Sequence, residues 1–269
     1  MPMVNAAFRR YEPLLRNLGE SELRLEVDAP DRLLMDTALV GRRRIEIAYT
    51  PFDYVNPSAR VVIVGITPGR HQMRNAVLEA SRRLKAGSAP DAALAAAKKH
   101  AAFSGPLRNN LVALLDFIGV NALFGIRSTS QLWDDRYDLV QFASAIRYAT
   151  FVDGSNYSGS PSMMKTDILR RIWSEVLVDE LRRIDRGLVV PLGPKVTEVV
   201  VEAAARAGVA RTQILTGLPH PSGANAERIA YFLGRKPRAT LSARTNPDLL
   251  ERSRASLLEQ VNALRGEQS

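Results

Sequence analysis

Runs of apolar residues without polar alternation mark the strands of this chain. Val61, Val62, Ile63 and Val64 predict a central strand over 60–66, because a strand covered on both faces has no polar side to show. LVQFASAIRYATF at 139–151 predicts a second core strand, GLVVPLG at 187–193 a third, and 213–216 a fourth. RRRIEIAY at 42–49 alternates charged and apolar residues, which is strand-like with one wet face. Helical spacing predicts a helix over 5–18 with Phe8, Tyr11, Leu14 and Leu15 on one side. It predicts others over 71–86 and 89–102, and one after the loop 103–110, where Leu107, Leu111, Leu114 and Leu115 share a face. Further helices are predicted over 165–184, 194–208, 226–234 and 245–265. Pro90 after Ser88 suits a helix start, and Gly234 suits a stop. TPFDYVNPSA at 50–59 reads as a loop, and VDGSNYSGSPSMM at 152–164 as a long mobile loop at the carboxyl end of the second strand.

Strand and helix alternate from 60 to 234. That order predicts a three-layer α/β/α sandwich with a central, mostly parallel four-stranded sheet. No repeat and no break in composition divides the chain, so one domain over 1–269 is expected. Its core lies at about 60–234, with the first 50 and last 35 residues as extensions.

Two strand ends carry chemistry. VVIVGITPGR at 61–70 ends in Gly65, Pro68 and Gly69; ILTGLPHPSGAN at 214–225 ends in His220, Pro221 and Ser222. Ligands of open α/β sheets sit where such loops meet, so these two loops are expected to share a cleft.

Composition removes several classes of function. The 269 residues contain no cysteine, which excludes disulfides, thiol catalysis, zinc–thiolate sites and iron–sulfur clusters. Hydrophobic residues at 46% and charged residues at 24% are ordinary for a globular protein. No stretch is long and apolar enough for a membrane span, and MPMVNAAFRRYEPLL carries charge too early for a secretory signal. A cytoplasmic location is expected, and a monomer. No metal-ligand cluster, Walker loop or Gly-x-Ser-x-Gly elbow is present, so neither metal nor cofactor is expected. The net charge of +9 suits a polyanionic partner, nucleic acid first, although an Arg-rich chain from a GC-rich genome is basic without one. The clusters Arg82–Arg83–Lys85, Arg170–Arg171 and Arg182–Arg183–Arg186 fall in helical patterns and read mostly as solvated faces; Arg42–Arg44 does not.

Five segments, in order, resemble the uracil-DNA glycosylase superfamily. GITPG at 65–69 looks like its first motif, as found in the mismatch-specific and single-strand-selective branches. SGPLRNNL at 104–111 is similar to the segment opening the next helix. FASAIRY at 142–148 sits where the family has its base-reading strand. LVVPLGPKV at 188–196 is similar to a strand-Leu-Gly segment, and HPSGAN at 220–225 to the second signature.

The resemblance implies a base extruded into a pocket and leaving as an anion from an oxocarbenium-like sugar. It makes His220 the group that stabilises the departing base, and Thr67 the holder of the attacking water. Relatives carry Asn or Asp at the Thr67 position, and a hydroxyl orients a water but cannot take its proton at neutral pH. It places the base against Ile66, Phe103, Ser144, Arg147 and Asn225, with Phe103 either a stacking floor or a core anchor. It gives Ser104, Ser222 and Gly223 to the flanking phosphates. His71 and Gln72, beside Gly65, Pro68 and Gly69, face either the cleft or solvent. Ala224 stands where several relatives insert a bulky wedge, and alanine is too small to push a base out. Single-stranded or distorted DNA is therefore the expected partner. Two other readings stay open: a catalytically silent nucleic-acid-binding protein on the same fold, and a small-molecule N-glycosidase using GITPG as an anion-holding turn.

Overall fold

A computed structural model describes residues 6–184 and 187–266. Position 5 of the first predicted helix and Arg186 of the third basic cluster lie outside the described residues. The chain forms two compact units, one of residues 6–57, 65–102 and 142–184, the other of residues 58–64, 103–141 and 187–266.

The first unit opens with α1 (Ala6–Asn17), which buries Phe8, Tyr11 and Leu15 at i, i+3 and i+7. Then come α2 (Glu20–Asp28), β1 (Leu34–Val40) and β2 (Arg43–Ala48). β3 (Val61–Gly65) is buried along its whole length, as its unbroken apolar run requires. After this strand, whose first four residues belong to the second unit, the first unit resumes with α3 (Arg70–Lys85) and α4 (Pro90–Ala101). In the second unit come α5 (Pro106–Phe117), buried through Leu111, Leu114 and Leu115, and the short α6 (Val120–Leu123).

The run at 139–151 is two strands rather than one. β4 (Val140–Ser144) belongs to a three-stranded sheet, and β5 (Ala149–Val152) to a four-stranded sheet that ends with β6 (Ser155–Asn156). Between the two strands the backbone of Ala145–Tyr148 bends, with its first amides still held by the end of β3 and the loop after it: Ala145 N–H donates to Gly65 O at 2.8 Å and Ile146 N–H to Ile66 O at 2.9 Å.

The helix predicted over 165–184 is α7 (Asp167–Ile172), one π turn (Trp173–Leu177) and α8 (Val178–Arg182). The second unit continues with β7 (Leu188–Pro191), α9 (Pro194–Ala207), α10 (Ala226–Phe232) and α11 (Pro247–Gly266).

The strand order is β4-β3-β7 in one sheet and β1-β2-β5-β6 in the other. β3 and β7 run parallel with Val61 opposite Leu188. The fourth strand expected at 213–216 is reduced to one parallel bridge, Val189 to Ile214, and a Leu215 N–H bond to Val189 O. The first 50 residues are more than an extension: β2 is threaded against β5, Ile45 opposite Val152 and Ala48 opposite Ala149.

The loop predicted over 152–164 is tied down at several points. Asn156 Oδ1 accepts from Arg70 N–H at 2.9 Å, capping α3, and Tyr157 N–H donates to Thr150 O at 2.9 Å. Trp173 Nε1 reaches back to Met163 O at 3.1 Å. Glycine, serine and asparagine made this stretch look like solvent-facing loop; the Asn156 cap and the buried Tyr157 are what hold it.

Candidate functional site

In the first unit, the loop after β3 is zipped to the segment after β4. Gly65 and Ile66 give their carbonyls to Ala145 and Ile146, and Thr67 Oγ1 donates to Tyr148 O at 2.8 Å. The Thr67 proton is thereby committed to the backbone. Its oxygen keeps acceptor capacity, so it can hold a water by that water's own hydrogen. Pro68 is buried, and Gly69 is the N-cap of α3. His71 and Gln72 lie on the first turn of α3; His71 is exposed, with Nε2 against the Asn75 amide at 3.2 Å. Ser144 is buried at the end of β4.

Arg147 lies in a buried ionic cluster, with its Nε left without a hydrogen-bond partner. Its guanidinium donates to Glu180 Oε2 at 2.7 Å, and the other oxygen of Glu180 takes Lys98 Nζ at 3.3 Å. Lys98 also donates to Tyr54 O at 2.6 Å. Beside them Asp53 accepts the hydroxyls of Tyr148 at 2.9 Å and Tyr49 at 2.7 Å, and Tyr49 stacks on Tyr11 at 4.4 Å. Burial pulls the Lys98 ammonium down to about 8 and pushes the Asp53 carboxyl and both tyrosine hydroxyls up. Burying four charges costs several kcal/mol per ion unless each is met by a partner. Here the charges sum to zero, and the cluster carries the Arg147–Tyr148 backbone to which Thr67 is tied. Asp53, Lys98 and Glu180 were missed in the sequence because their partners lie 95, 82 and 33 positions away.

The second unit holds the HPSGAN loop. Ser222 N–H donates to His220 Nδ1 at 3.3 Å. An amide N–H can only donate, so Nδ1 is the acceptor and the ring proton sits on Nε2. Burial lowers the imidazole pKa below its ordinary value, which keeps the ring neutral at pH 7. Gly193, the N-cap of α9, lies against the His220 side chain; a Cβ there would stand 3.2 Å from His220 Cβ, and its φ of +90° favours glycine. Asn110 Nδ2, from α5, donates to Pro221 O at 2.9 Å. Three of the segments singled out in the sequence, around Asn110, Gly193 and His220, thus meet in this unit. Asn110 itself went unmarked, although the Asn109–Asn110 pair at the start of α5 was its signal.

Asn225 spends both ends of its amide locally. Nδ2 donates to Ser222 Oγ at 3.1 Å, and Oδ1 accepts from Arg228 at 2.7 Å. Ser222 therefore keeps its own hydroxyl proton for an outside acceptor. Gly223 is exposed at the start of the turn Gly223–Asn225. Phe103 is buried with φ +51°, a left-handed conformation that a bulky residue adopts at a cost of about 1 kcal/mol or more. Ser104 follows it, half-buried. Among the described residues no group of three or more His, Asp or Glu is placed to hold a metal ion, and no helix is long and apolar enough to cross a membrane.

A family model, the uracil DNA glycosylase superfamily, matches residues 52–250. The chain belongs to that superfamily, and its fold is the α/β fold of that family. It is 35% identical over 190 residues to the uncharacterized protein YoxB of Bacillus subtilis (strain 168), a match covering 69% of this chain and 74% of YoxB. No solved structure matches.

Proposed function

We propose that the protein is a DNA glycosylase that hydrolyses the N-glycosidic bond of uracil or another damaged base. The observation that carries this is the His220 imidazole, neutral through burial and fixed by Ser222 N–H with its proton on Nε2. In the reaction the bond between C1′ and the base nitrogen breaks, and its electron pair leaves with the base. Negative charge collects on the base oxygen, where an N–H donor stabilises it; removing one such preorganised donor typically costs 10²–10³ in rate. Water adds to C1′ and loses a proton, giving the abasic sugar, and the base anion takes up a proton to become the free base.

In this reading Thr67 Oγ1 accepts a hydrogen from the attacking water but takes no proton. Because bond breaking runs ahead of water attack, a weak water holder slows the reaction without abolishing it. Ser222, with its hydroxyl proton uncommitted, contacts a phosphate. Arg147, held by Glu180, acts on the base only through the Ser144–Tyr148 backbone it supports.

A second reading rests on Thr67 as well. With no carboxylate or amide at that position, a silent nucleic-acid-binding protein on the same fold fits the loop equally well. The two separate in one assay: incubation with single-stranded DNA carrying one uracil, followed by alkali. Strand scission at the uracil supports the glycosylase; tight binding without scission supports the silent protein.

A further inference from the structure

Downstream of the HPSGAN loop the charge balance changes. From Arg228 to Pro247 there is no acidic residue, and five cations: Arg228, Arg235, Lys236, Arg238 and Arg244. Two of the five are neutralised from outside the stretch. Lys236 pairs with Glu227 at 2.8 Å, and Arg238 with Asp248 and Glu251. Arg228, Arg235 and Arg244 are exposed and pair with no acidic side chain of the described residues.

Arg228 is held without being neutralised. Its two terminal nitrogens donate to neutral acceptors, Asn225 Oδ1 at 2.7 Å and Arg244 O at 3.0 Å. The guanidinium is thus fixed in place with its whole charge and its remaining donors open, and a fork of this kind matches a phosphate. The adjacent carboxylate, Glu227, is turned the other way. It takes Lys236, the Ser242 amide and hydroxyl, and Thr245 Oγ1, and these donors hold its carboxyl well below the usual carboxylate range. Gly234, at φ +71°, ends α10 and places Arg235 N–H on Ala230 O, reversing the chain there. On the other side of Arg228, Asn225 points its amide at Ser222, whose hydroxyl proton is uncommitted.

We infer that Arg228, Arg235 and Arg244 extend the phosphate contact of Ser222 into a phosphodiester clamp that grips the backbone of single-stranded DNA. This rests on the DNA reading above but not on catalysis. The test is fluorescence-anisotropy binding of a twelve-residue oligothymidylate, which holds no excisable base, at increasing salt. Each cation that meets a phosphate contributes about 0.7 to the slope of log K against log salt on a single strand. Arg228→Gln and Arg235→Gln each lower the slope by about 0.7, and the double variant by about 1.4. Arg235 makes no side-chain bond of the kind Arg228 makes, so its variant tests the clamp even if Arg228→Gln disturbs the loop. Arg24→Gln, far along the sequence and paired with Glu20, serves as the control and leaves the slope unchanged. Slopes equal to that of the parent in both clamp variants, or an equal fall in Arg24→Gln, overturn the clamp. Absence of uracil excision bears on the glycosylase reading alone.

Discussion

Ser222 N–H points at Nδ1 of His220, 3.3 Å away, and this one bond sets which imidazole nitrogen carries the proton. A donor N–H for a departing base follows only while the ring is neutral. Burial favours that form, because a desolvated cation is disfavoured. The pH dependence has a definite sign. The folded imidazole titrates below its ordinary 6.5, so between the two values the unfolded chain binds more protons. Stability holds near pH 7 and falls as pH drops below 6.5, whereas kcat/KM falls only at lower pH, as the pH passes through the lowered value of the folded imidazole. A pH–rate profile whose acid limb begins above 6.5 contradicts this.

Thr67→Asn is expected to raise glycosylase activity by roughly tenfold, through better positioning of the attacking water. The amide keeps a donor for Tyr148 O and adds an acceptor oxygen for the water, where the hydroxyl must serve both. Thr67→Val removes the bond to Tyr148 O and lowers stability by about 1 kcal/mol. Steady-state kinetics and urea melts check the pair.

The buried Lys98–Glu180–Arg147 cluster should respond unevenly to mutation. Glu180→Gln removes the carboxylate paired with both buried cations, leaves Asp53 as their nearby counter-charge, and costs about 3–5 kcal/mol. Lys98→Met leaves Arg147 and Glu180 paired and costs less. Lys98 titrates near 8 when folded against an ordinary 10.5, so the unfolded chain holds the extra proton between those values. The urea midpoint of the parent should therefore gain on that of Lys98→Met as pH rises from about 8 toward 10.5. A falling difference contradicts the assignment.

Gly193→Ala strains a φ of +90° and sets a methyl 3.2 Å from His220 Cβ. It is expected to cost about 1–3 kcal/mol from the backbone alone. Excision should fall further than stability explains, because His220 itself must shift. An enzyme that keeps full activity per folded molecule in this variant removes Gly193 from the site.

Much of the fold was readable along the chain. Val61–Val64 and Leu188–Pro191 are unbroken apolar runs, and they are the two strands whose parallel pairing the structure shows. The run at 139–151 misled because both of its halves are strand, and the bend at Ala145–Tyr148 that sends them to different sheets falls on residues that are apolar except for Arg147. Ile214 and Leu215 carry strand-like residues but make a single bridge, since too little of the segment reaches Val189. In the site, His220 stood out through its motif. The groups that hold the motifs, Asn110 on Pro221 O, Asn156 on Arg70 and Glu180 on Arg147, did not. Each acts on a residue far off in sequence, and periodicity carries no information about such pairs.

The central claim is that the His220 imidazole bears the departing charge of a base. Alkali-revealed scission of single-stranded uracil DNA, measured side by side for the parent and for His220→Ala, tests it most directly. The account expects scission by the parent and its loss, by 10²-fold or more, in the variant. Scission by His220→Ala at the parent's rate would contradict it.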